Sequence, residues 1–148
     1  MSHKGVHAID STVQTTNVWL HELQDRLGLQ DKQKAYEILR AVLHVLRDRL
    51  SVEQAAALGS QLPMLVRGFF FESWQPQGKP ERIRKREEFL QHIAASLPRG
   101  SGDPETAART VFDVLAKHVS SGEVQHIRFS LPHEIRPLFA EEHHATWF

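Results

Sequence analysis

The sequence predicts an all-α fold, an internally duplicated multi-helix unit packed about a pseudo-two-fold axis. Three observations predict it. Apolar residues recur at three- and four-residue spacing through most of the chain. Helix caps, turn residues and Leu-Pro pairs punctuate that pattern. The same series of features then appears twice, in the same order.

Residues 1–15 read as a polar, flexible N-terminal tail. From Thr16, the spacing of Trp19, Leu20, Leu23 and Leu27 places them on one helical face, and Gly28 stops the helix. Asp31 caps a second helix to Arg49, carrying Ala35, Ile38, Leu39, Val42, Val45 and Leu46. Tyr36 and Leu43 widen its apolar stripe. Ser51 and Gln54 form a capping box for a short alanine-rich helix ending near Gly59. Leu62-Pro63 restarts the chain into Met64, Leu65, Val66 and three consecutive phenylalanines. These elements form a first repeat over 16–74, and residues 75–81 read as a linker.

The second repeat spans 82–140. Its first helix begins at Arg82 and carries Phe89, Leu90, Ile93 and Leu97. Asp103-Pro104 opens the next helix, with Ala107, Ala108, Val111, Phe112, Val114 and Leu115. Ser120 and Glu123 form a second capping box, and Leu131-Pro132 restarts the chain again. Residues 141–148 are a C-terminal tail ending in Trp147 and Phe148.

The correspondence between halves is specific. Trp19, Leu20, Leu23 and Leu27 answer to Phe89, Leu90, Ile93 and Leu97. Asp31, Ala35, Leu39, Val42 and Leu43 answer to Asp103, Ala107, Val111, Val114 and Leu115. Pro63 and Arg67 answer to Pro132 and Arg136. A half of this size is marginal alone, so the two halves are expected to pack together.

Composition narrows the function classes. The chain has 148 residues, 18 basic against 18 acidic side chains, ten histidines and no cysteine. The absence of cysteine excludes disulfides, a thiol nucleophile and cysteine-ligated metals. The charge is balanced in both halves, so nucleic-acid binding is not expected. The one basic run is Lys79, Arg82, Arg84, Lys85 and Arg86. No apolar stretch approaches a bilayer span, and Met1–Asp10 has no secretory h-region. A cytoplasmic location is expected.

Trp19-Leu20, Ala35-Tyr36, Leu43 to Asp48, Arg49-Leu50 and the segment Gln61 to Phe70 together resemble the bacterial DUF2267 family. Trp74, Lys79-Pro80, Glu88-Phe89-Leu90, Gly122-Glu123 and Leu131-Pro132 extend the resemblance over roughly residues 15–140. Phe71 departs from it by making its segment more apolar. The resemblance implies an all-helical fold and carries no activity, cofactor or substrate onto any residue.

The candidate site residues follow from residue chemistry. Arg47, Asp48, Arg67 and Arg136 are candidates for binding an anion or a partner. A structural role for them, bridging carboxylates or carbonyls, is the competing reading. Phe69, Phe70, Phe71, Trp74 and Trp147 are interface candidates, against core packing as the alternative. His21 with Asp25, and His44 with Asp48, are weak metal candidates at i,i+4 spacing. No catalytic residue and no cofactor are assigned. The leading expectation is a soluble, non-enzymatic interaction protein that self-associates or binds a protein partner. The alternative is a small-molecule or metal-binding protein using arginine, aspartate and histidine near helix ends.

Overall fold

The computed structural model describes residues 5–140. Trp147, the tail at 141–148 and residues 1–4 lie outside the described residues. The described chain contains seven α-helices, one 3-10 turn and no strand. The helices are α1 (His7–Leu27), α2 (Lys32–Arg49), α3 (Val52–Gln61), α4 (Met64–Phe70), α5 (Arg86–Ser96), α6 (Pro104–His118) and α7 (Ser121–Ser130); the 3-10 turn is Arg136–Leu138.

Local chemistry sets four of the helix starts. Asp31, Ser51, Asp103 and Ser120 each accept a backbone N–H of the first turn that they cap. Ser51 and Gln54 complete a reciprocal capping box. Ser120 accepts from Glu123 N–H, but its own N–H donates to Gln61 Oε1 on α3 at 2.9 Å. The expected second capping box is therefore half made, because a residue from another helix has taken the return bond. Gly28, at φ 64°, closes α1 in the left-handed conformation.

Two boundaries differ from the sequence reading. α1 begins at His7, within the stretch expected to be a flexible tail. Thr15 and Thr16 donate hydroxyl bonds to the carbonyls of Ser11 and Thr12, and Thr12 Oγ1 accepts the Leu65 N–H of α4 at 3.0 Å. Polar side chains here are satisfied by the helix and its neighbour. α5 begins at Arg86 rather than Arg82. Residues 81–83 are held instead by the end of α2: Glu81 N–H donates to Asp48 O, and Arg49 Nε–H donates to Ile83 O. Ile83 is buried there. These tertiary bonds outweigh local helix propensity.

α2 and α6 form the centre. α2 packs against α1, α4, α5 and α6, while α6 packs against α1, α2, α5 and the 3-10 turn. Ile38, Leu39, Val42, Leu43 and Leu46 of α2 meet Val111, Phe112, Val114 and Leu115 of α6 in one apolar cluster, which also takes in Trp19, Phe70, Phe89 and Phe139. The Phe112 and Phe139 rings stack with centroids 4.1 Å apart. α3 meets α7 as well as α4.

Candidate functional site

The arginines singled out from the sequence are tied to backbone carbonyls. Arg47 is buried at 4% exposure. Its Nη1 donates to Phe70 O and Glu72 O, at 2.8 and 2.9 Å, satisfying carbonyls at and just beyond the end of α4. Its Nε and Nη2 donate to the two carboxylate oxygens of Asp48. Arg67 donates from Nε to Gly59 O and from Nη2 to Ser60 O and Leu62 O, at the end of α3. Arg136 does the same at the end of α7, to Arg128 O, Phe129 O and Leu131 O. Each guanidinium supplies donors where a helix end leaves carbonyls unpaired.

The described aromatic candidates, Phe69, Phe70, Phe71 and Trp74, pack on the core. Phe70 is fully buried and Phe69 nearly so; Phe71 and Trp74 are half-buried against the core. Phe71 packs on both Phe70 and Trp74. A Cβ added at Gly59 would fall into the Phe71 ring, so α3 leaves room for it. Between the interface and core-packing readings of these rings, the recess at Gly59 favours packing for Phe71.

The histidine pairs are not gathered into a multidentate site. Among the described residues, no group of three or more His, Asp or Glu is placed to hold a metal ion. His21 and Asp25 share a shallow depression beside Gly28. His44 and Asp48 have separate partners. His44 Nε2–H donates to Phe69 O at 2.6 Å, whereas Asp48 pairs with Arg47. Burial pushes the His44 imidazole below its ordinary pKa, and the charges of Arg47 and Arg40 add to this against the Phe69 bond and Asp48.

One apolar surface left open lies along α1 and α4. Val6, Ile9, Val13, Thr16, Leu20, Leu23 and Leu27 keep one alternating three- and four-residue spacing. From Thr16 to Leu23 this seam is buried in the bundle, and Leu27 packs against the core. Before Thr16 it runs on uncovered: Val6, Ile9 and Val13 are 61%, 54% and 43% exposed. Met64 and Leu65 of α4 are also exposed, and α4 packs against α1.

A groove opens from this face. Its apolar end, about 300 Å³, is lined by Thr16, Tyr36, Leu65, Gly68, Phe69 and Glu72. Tyr36 and Glu72 also border a polar cavity of about 490 Å³ with Glu37, Arg40 and His44. Arg40 Nε–H donates to Glu72 Oε1 at 2.8 Å across it. Such a groove can seat an apolar side chain and offer hydrogen bonds beyond it. Val6, Ile9, Val13, Met64, Leu65 and Arg40 were not candidates from the sequence. The signal for the first three was the phase of the α1 seam, which continues upstream of Trp19.

The profile of a family described as Uncharacterized conserved protein (DUF2267) matches residues 16–138. The chain belongs to the DUF2267 family. The DUF2267 match starts where the α1 seam enters the bundle, so Val6, Ile9 and Val13 precede it while Met64 and Leu65 lie within it. No curated protein matches this DUF2267 chain. Among its described residues, no helix is long and apolar enough to cross a membrane.

Proposed function

We propose that this protein is a non-enzymatic helical interaction module that pairs with a second copy of itself through the α1–α4 face. One observation carries the reading: the apolar seam that α1 buries from Thr16 onward continues uncovered through Val13, Ile9 and Val6, and Met64 and Leu65 of α4, which packs against α1, are exposed as well. The period of that seam suits a facing helix. Asp10 is the single Asp, Glu, Lys or Arg between Gly5 and Leu20, so two copies of the face meet without like-charge crowding. Full burial of an aliphatic side chain is worth about 1.5–3 kcal/mol before the cost of association. In this reading Arg47, Asp48, Arg67 and Arg136 shape the surface through backbone bonds, and Phe69 forms the groove floor.

Sedimentation velocity over a range of concentrations tests it. The wild-type chain is expected to dimerise, and the exposed substitutions Ile9→Glu and Leu65→Glu to yield monomers with unchanged helical circular dichroism. A wild-type chain that stays monomeric throughout, or variants that dimerise equally well, overturns the reading. Binding of Ile9→Glu to a different protein would place the contact elsewhere.

We further propose that residues 16–74 and 82–140 are copies of one unit packed about an approximate two-fold axis, with 75–81 between them. The support is the correspondence of bonds at Arg67 and Arg136, each of which reaches back to matching carbonyls up to the leucine of its own Leu-Pro pair. The contact between α3 and α7 suits such an axis. The copies differ where function is proposed, since α1 has 21 residues and α5 has 11.

A further inference from the structure

A second surface feature lies away from the α1–α4 face. Arg49 ends α2, and Arg84 sits in the extended chain before α5. Between them and residues 130–134 opens a cavity of about 410 Å³, whose wall includes Leu131, Pro132, His133 and Glu134.

The charges around this cavity are unbalanced. Arg26, Arg40, Arg47, Arg86 and Arg109 each face a carboxylate. Among the described residues, neither Arg49 nor Arg84 does. Arg49 uses Nε–H to reach Ile83 O, which fixes the guanidinium and leaves both Nη groups without a partner among those residues. Glu134, the carboxylate on the wall, accepts the Arg86 backbone N–H at 3.3 Å instead. Burial, followed by the charge of Arg84, lowers the Arg49 pKa, as expected for a cation lacking a counter-charge.

We infer that this cavity is an oxyanion site, and that its ligand is the phosphate monoester group of a small molecule. Two guanidiniums held by separate elements present several N–H donors to one tetrahedral dianion. His133 adds a further polar group at the rim. The cavity is larger than a phosphate alone needs, and Leu131 and Pro132 give an apolar wall for the attached organic group. The site shares no residue with the α1–α4 face, so its test stands apart from self-association.

The test is an NMR titration with inorganic phosphate and with phenyl phosphate, at constant ionic strength. Saturating shifts are expected at the Arg49 Nε–H and at the amides of Ser130, Leu131, His133 and Glu134, with phenyl phosphate the tighter ligand. Arg84→Gln, at an exposed position, should weaken binding by about tenfold. Arg49→Lys should also weaken it, because an ammonium cannot present the guanidinium fork. Arg82→Gln, outside the cavity, should leave it unchanged. Shifts that do not saturate, or equal loss in Arg82→Gln, overturn the inference. So does tighter, steeply salt-dependent binding of a single-stranded oligonucleotide with shifts spread over Arg82, Arg84 and Lys85, which would assign the surface to a polynucleotide.

Discussion

Gln61, the last residue of α3, accepts the backbone N–H of Ser120, the residue that caps α7. The bond joins the end of one short helix to the start of the other. It also displaces Glu123 from the return half of a capping box, and Glu123 Oε2 is left buried without a partner. Burial raises the Glu123 pKa, partly offset by His126. Because the folded chain favours the protonated acid, the stabilising contribution is complete at low pH and declines as the pH rises through the folded value. Glu123→Gln should therefore raise stability at neutral pH, by about 1 kcal/mol, and flatten the stability profile on the acid side of neutrality. Thermal melts of both chains across that pH range check it.

Acidification has a second, opposite consequence at the seam between α1 and α6. Burial works to raise the Glu22 pKa, but bonds from Lys117 and His118 outweigh it and hold the carboxylate below its ordinary range. His118 also stacks on Trp19 with centroids 4.9 Å apart. The Glu22 contribution is complete at neutral pH and lost as the pH falls through the folded value. Glu22→Gln should cost on the order of 1 kcal/mol at neutral pH and remove part of the acid-induced loss. Denaturant melts at neutral and acidic pH separate the two effects. His44 adds to the acid-induced loss: its lowered pKa favours the neutral imidazole in the folded chain, so its contribution is lost as the pH falls below the ordinary imidazole value.

Arg67→Ala and Arg136→Ala should each cost about 1–3 kcal/mol, through carbonyls stripped of a charged donor. Arg67→Lys should restore little, since one ammonium cannot reproduce the planar fork. Urea midpoints measure both effects. Similar losses in the two alanine variants are expected from their matching bonds.

Gly59→Ala should destabilise the chain by about 1–3 kcal/mol, because the new methyl group meets the Phe71 ring. Phe71→Leu in that background should recover part of the loss, giving a non-additive double-mutant cycle. Additive behaviour would show that the ring and the glycine are not coupled.

The caps made much of this fold legible. Asp31, Ser51, Asp103 and Ser120 are short polar acceptors directly before apolar periodicity, and each caps the helix it announces. The start of α5 was hidden because the bonds from Glu81 N–H to Asp48 O and from Arg49 Nε–H to Ile83 O are made between distant parts of the chain. The start of α1 was obscured by the polar residues between Val6, Ile9 and Val13, although their spacing continues the buried seam. For the candidate site, composition marked Phe69 to Phe71 as unusual but left their direction open. Gly59, which makes room for Phe71, decides it only once α3 and α4 are folded together.

The greater length of α1 over α5 bears on the number of chains an assembly can hold. The uncovered seam belongs to α1 and has no counterpart upstream on α5, which begins at Arg86. Two chains joined through it would each present the same patch, and joining would consume both patches. Such a pairing would be isologous and self-terminating: it would close a pair and leave no free equivalent at which a third chain could add.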